Sequence, residues 1–189
     1  MSDDILVVSR QSQLAELWNN SPWRITIYLA ASVVLGAVCG LLWSWLTPLA
    51  TYTIGDEMSA QITERGQAEI VAADVVFTLI MALVGVVIGI VGWAVWHRKG
   101  WLVTTMPLLA ALAASLMAWR MGTTIGQTGF SERLAAGEPG DVIPIDLNLR
   151  ALSALLVAPF TAIVPIMLLA AFWPEPQDEH AALLPRSSD

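Results

Sequence analysis

Four long apolar runs constrain this chain more than any other feature of it. They extend from Ile25 to Leu46, Val71 to Trp96, Trp101 to Gly122 and Ala151 to Trp173, and hold two charges between them, Asp74 and Arg120. A helix rises 1.5 Å per residue, so the roughly 30 Å hydrocarbon core of a bilayer needs about 20 apolar residues. Each run is that long. A soluble bundle of four buried helices would need a polar face on each, because so small a bundle cannot bury helices all round. None of the runs has one. Composition agrees: 56% of the residues are apolar and 13% charged, against about 45–50% and about 25% in soluble domains. The expected fold class is all-α, an integral membrane four-helix bundle spanning 25–46, 71–96, 101–122 and 151–173.

The flanks fit that class. Trp23 and Trp43/Trp45 bracket the first run, Trp93, Trp96 and Trp101 flank the second turn, and Trp173 closes the fourth. This is the aromatic belt expected at headgroup depth. Pro48 and Pro174 stand just past the ends of runs one and four, where a helix should stop. The polar first 24 residues carry Asp3 and Asp4 before any base, unlike a secretory leader, so the first run reads as an uncleaved anchor. Cys39 lies in mid-run after Val38 and reads as a small packing residue rather than a lipid anchor.

Orientation follows from the turn His97-Arg98-Lys99-Gly100, wholly basic and directly against two runs, where the positive-inside rule acts most strongly. The longer loops 48–70 and 123–149 are rich in acids. Both termini are therefore expected inside, with two extracytoplasmic loops. Residues 1–24 form a polar cytoplasmic tail, in which Leu14, Leu17 and Trp18 make an i, i+3, i+4 stripe. An interfacial helix and a loosely ordered tail are both open readings. Thr53 to Glu69, free of Pro, is expected to extend run two outward as a solvated helix. The 123–149 loop, punctuated by Gly and Pro, is expected to be irregular, and long enough to pack on or bind something. Residues 174–189, with Pro, acids and Ser, read as a disordered tail.

Asp74 is the candidate functional residue, because an ionisable group within a span is costly and usually faces the bundle. Asp74, Arg120 and Arg150 each fall near the outer boundary on three different runs. An Arg on one helix can reach a carboxylate on a neighbour roughly 8–10 Å away. A salt bridge from Asp74 to at least one Arg is predicted, with Arg120 favoured; a structural pin and a proton or substrate site are both compatible with it. Ser32, Gly36 and Gly40, and Gly85 and Gly89, are ladders of small residues four apart that let backbones approach closely, within this bundle or at an interface with another membrane protein. Pro107, Pro159 and Pro165 would kink their helices.

Several functions are excluded. A net charge of −7 with a single Lys argues against a nucleic-acid partner. One Cys and two His leave no metal cage, and no catalytic pair or phosphate loop stands out, so neither an enzyme nor a cofactor is expected. The expected partners are membrane lipid and another membrane protein, or a second copy of the chain. Two functions remain: a non-catalytic accessory or scaffold subunit of a larger membrane complex, and a small transporter or channel-like subunit using Asp74 and Arg120.

The segments Gly40-Leu41-Leu42-Trp43-Ser44-Trp45-Leu46-Thr47-Pro48, Ala73-Asp74-Val75-Val76-Phe77, the basic turn into Gly100, and Pro139-Gly140-Asp141 through Pro144 to Leu149-Arg150 and Pro159 resemble a family of small four-span actinobacterial integral membrane proteins of unknown function. The resemblance covers roughly residues 24–172. It implies the four-span topology and an actinobacterial plasma membrane, and it implies no activity.

Overall fold

The computed structural model describes residues 21–54, 60–62, 64–97, 100–127, 129–138 and 141–172. The two tails, with the expected interfacial stripe and disordered end, lie outside the described residues. Four helices long and apolar enough to cross a membrane make up most of the molecule. They comprise α1 (Ser21–Leu46), α2 (Glu64–Trp96), α3 (Leu102–Ile125) and, after a 3-10 segment Leu152–Leu156, α5 (Val157–Phe172). A short helix, α4 (Phe130–Ala136), lies between α3 and the last pair.

The helices pair by alternation rather than by sequence neighbourhood: α1 packs most extensively on α3, and α2 on α5. Small residues set both seams. A Cβ added to Gly36 or Gly40 would fall on the carbonyls of Ala114 and Ala118, and one on Gly85 or Gly89 on those of Ala158 and Ala162. Backbone therefore meets backbone without intervening side chains. The helix-interior prolines face glycines, Pro165 in the α2–α5 seam and Pro107 between α2 and α3. Pro107 sits against Gly92 and Pro165 against Gly89, each ring filling space that a bare glycine leaves open. Pro159 is the third residue of α5, in the first turn, where the missing N–H has no intrahelical carbonyl to lose. Bulky aliphatic and aromatic side chains, among them Val34, Leu79, Leu83, Phe160 and Met167, point outward.

The all-α expectation needs correction at one end of the bundle. The two long loops contribute β1 (Thr51–Ile54), β2 (Ala60–Ile62) and β3 (Val142–Pro144), joined in an antiparallel sheet of order β2-β1-β3. Thr53–Ile62 was expected to be helical, but Thr51-Tyr52-Thr53-Ile54 is a β-branched and aromatic run that suits a pleated surface. The helical extension of run two begins only at Glu64. Likewise the 123–149 loop, expected to be irregular, carries α4 and β3. Pro144 ends β3 on the sheet's edge, where a strand can lack an N–H. The pairing joins Tyr52 to Ile143, so both long loops form one cap at the same end of the bundle. At the other end the Arg24 guanidinium lies 6.0 Å from the Trp96 ring centroid, and Gly100 turns the chain with φ 59°.

The tryptophans divide into two kinds, which corrects the uniform aromatic belt. Trp43 and Trp96 are fully buried, whereas Trp45 is 91% exposed and Trp101 72%. Trp43 packs edge-on against Phe77 at 5.0 Å, and its ring covers the bare face of Gly122.

Candidate site at the junction of bundle and cap

The cap is stitched to the helix ends by main-chain hydrogen bonds. The Ile145 N–H donates to the Ala50 carbonyl at 2.8 Å and the Leu147 N–H to the Gly126 carbonyl at 3.0 Å. Trp43 Nε1 donates to the Ala73 carbonyl at 2.9 Å, which ties the end of α1 to α2 one residue before Asp74. The small helix α4 is fastened to the segment after β3 by the Phe130 N–H to Asp146 Oδ1 (3.4 Å) and Arg133 Nη2 to the Pro144 carbonyl (3.3 Å). Tyr52 and Phe130 rings lie 5.8 Å apart.

Asp74 is the centre of this junction. Its Oδ1 accepts the Arg150 N–H at 3.1 Å and its Oδ2 the Ala151 N–H at 3.0 Å. These two amides immediately precede the 3-10 segment that leads into α5, and no side chain of that segment's own caps it. The first N–H groups of a helical segment have no intrahelical acceptor, and a carboxylate at that end is favoured by both charge and hydrogen bonding. Asp74 thus anchors the chain on α2 at the point where it enters the last helical segment.

The predicted ion pair is corrected by this geometry. Asp74 and Arg150 are neighbours, but they meet through the Arg150 main chain. Arg120, favoured as the partner, directs its guanidinium over the adjacent Trp119 ring, 5.3 Å from the centroid, and is exposed. The three charges do not form a side-chain cluster among the described residues. The physical reason is local demand: two successive unpaired amides offer the carboxylate both of its oxygens' partners at once. Ser32, Gly36, Gly40, Gly85 and Gly89 are all buried within the bundle. Ser32 Oγ donates to the Tyr28 carbonyl (2.8 Å), and Tyr28 Oη donates to the Ile88 carbonyl (2.7 Å), bridging α1 and α2.

Sequence reasoning missed a cavity beside this junction. It has a volume of about 210 Å³, and its walls include Thr47, Glu69, Asp146, Asn148 and Arg150 with Leu49, Ile70 and Ala73. A second cavity, of about 310 Å³, opens across the 146–148 segment against Trp119, Thr123 and Gln127. The signal lay in Thr47-Pro48, where the helix stops, and in the polar residues flanking Leu147, which alternate about a buried Leu. Among the described residues no group of His, Cys, Asp or Glu could hold a metal ion. No protein-family model, curated protein or solved structure matches this chain.

Proposed function

We propose that the chain is a multi-pass plasma-membrane protein with both termini inside, acting as a non-catalytic accessory or scaffold subunit whose outer cap faces a larger partner. The observation that carries this reading is where the polar chemistry lies. Both helix seams are closed carbonyl-on-glycine, and the one carboxylate within an apolar run is engaged by main-chain amides. A transport path through the bundle would need polar groups facing one another across it. Exposed polar groups gather instead in the cap, on α4 and the segments beside it. The plasma membrane is supplied by the family resemblance, and the orientation by the basic turn and acidic loops.

Two experiments test this. With Trp101→Cys and Ser131→Cys variants, an impermeant thiol reagent on intact cells should label position 131 and spare 101; the reverse would invert the orientation. Copurification from native membranes in mild detergent should yield a stoichiometric complex with a larger membrane protein, lost when the exposed cap residues Ser131 and Glu132 are both changed to Arg. A self-oligomer alone, with solute flux in proteoliposomes, would overturn the scaffold reading in favour of a transporter.

A further inference from the structure

The smaller cavity at the junction has the chemistry of a ligand site. Three of its wall residues carry polar groups that find no protein partner among the described residues. The Thr47 hydroxyl is buried and unpartnered, the residue being 6% exposed. The Asn148 amide and the Arg150 guanidinium are exposed and likewise make no side-chain hydrogen bond. Arg150 is not left there by chance of packing. Asp74 takes its main-chain N–H and so holds the residue at the cavity without neutralising its charge through a guanidinium–carboxylate pair. Asp74 is in this sense a positioning residue for Arg150.

The Thr47 hydroxyl is closed off from the cavity, but amide and guanidinium together make a donor set for an oxyanion, and a guanidinium is the group best matched to a phosphate. The opposite charges in the wall narrow the choice. Glu69 and Asp146 also line the cavity, and both already have protein partners, yet a carboxylate has about four acceptor positions. Two carboxylates beside one guanidinium disfavour a multiply charged anion and favour a ligand that carries an ammonium alongside its oxyanion. Leu49, Ile70 and Ala73 add an apolar side, and the cavity lies at the boundary where α1 ends and the cap begins.

We propose that this cavity binds a zwitterionic phosphodiester of the phosphoethanolamine type, its phosphate against Arg150 and Asn148 and its ammonium toward Glu69 and Asp146. A membrane lipid headgroup and a free phosphodiester share this chemistry. The inference rests on the membrane placement proposed above and is independent of any protein partner.

The test uses the full-length protein in nanodiscs, titrated with phosphatidylethanolamine, phosphatidylglycerol or the soluble glycerophosphoethanolamine, with occupancy read by native mass spectrometry and by the rise in Tm that any native-state ligand produces. Phosphatidylethanolamine should bind at least about tenfold more tightly than phosphatidylglycerol, a difference of about 1.4 kcal/mol. Arg150→Gln, which keeps the main-chain bond to Asp74, should abolish that preference. Asn148→Ala, at an exposed wall residue, should leave the ligand-free Tm nearly unchanged while weakening binding several-fold. Saturation by glycerophosphoethanolamine at the same concentrations would support the site and assign its ligand to water rather than the bilayer. Equal affinity for both lipids, or unaltered binding in Arg150→Gln, would overturn the site. Failure of the wild-type protein to enter nanodiscs would overturn the membrane placement itself.

Discussion

The bundle and its cap are held together by different forces. In the bundle, α1 meets α3 and α2 meets α5 with carbonyls resting on bare glycines, and few side-chain hydrogen bonds cross between helices. In the cap, a three-stranded ladder pairs Thr51 with Pro144, and a carboxylate-to-amide bond joins residues 77 positions apart. The first arrangement depends on shape, and shape at a backbone contact cannot relax. The second depends on hydrogen bonds at a wet boundary, where water replaces part of what is lost. Damage to a seam should therefore cost more than damage to the cap, although the cap carries most of the polar groups.

Gly85→Val should show the largest effect. Its Cβ would fall on the Ala158 carbonyl and on the Thr161 hydroxyl, so the helices must separate. A loss of about 3 kcal/mol is expected, read by reversible unfolding in mixed detergent. A loss below that of any cap variant would break the comparison. Asp74→Ala comes next, at about 1–2 kcal/mol, the worth of hydrogen bonds to a charged group; the Arg150 and Ala151 residues are exposed, which lets water take over their amides. Arg120→Gln should cost no more than about 1 kcal/mol, the worth of an exposed cation–π contact with Trp119. The double variant Asp74→Ala/Arg120→Gln should show the sum of the two, since the residues have no shared partner. A coupling above about 1 kcal/mol would restore the side-chain ion pair.

The bundle was legible in the sequence because each of its signals is local. Run length marks the helices, and Gly36, Gly40, Gly85 and Gly89 announce close approach by their spacing alone. Which helix each ladder meets was not legible, since alanines are everywhere and Ala114 or Ala158 look like any other. The cap was misread for a physical reason. Thr51–Ile54 and Val142–Pro144 are too short to stand as strands alone and acquire their structure only from each other. That pairing spans the whole of α2 and α3, which no local pattern can report. Asp74 stood out by its cost in an apolar run, but the expected partner was a charge, because side chains are visible in a sequence. The start of the fourth run at Ala151 was already legible, but that the amides there meet Asp74 depends on how the two helices pack.

Asp74 holds the cap onto the bundle through main-chain amides rather than through an arginine side chain. Amide hydrogen exchange at Arg150 and Ala151 tests it directly, compared among the wild-type protein, Asp74→Ala and Arg150→Gln. Slowed exchange is expected at both amides in the wild type, preserved in Arg150→Gln and lost in Asp74→Ala, with amides in the α1–α3 seam unaffected throughout. Loss of protection in Arg150→Gln equal to that in Asp74→Ala would contradict it, since the guanidinium would then be the group that Asp74 holds.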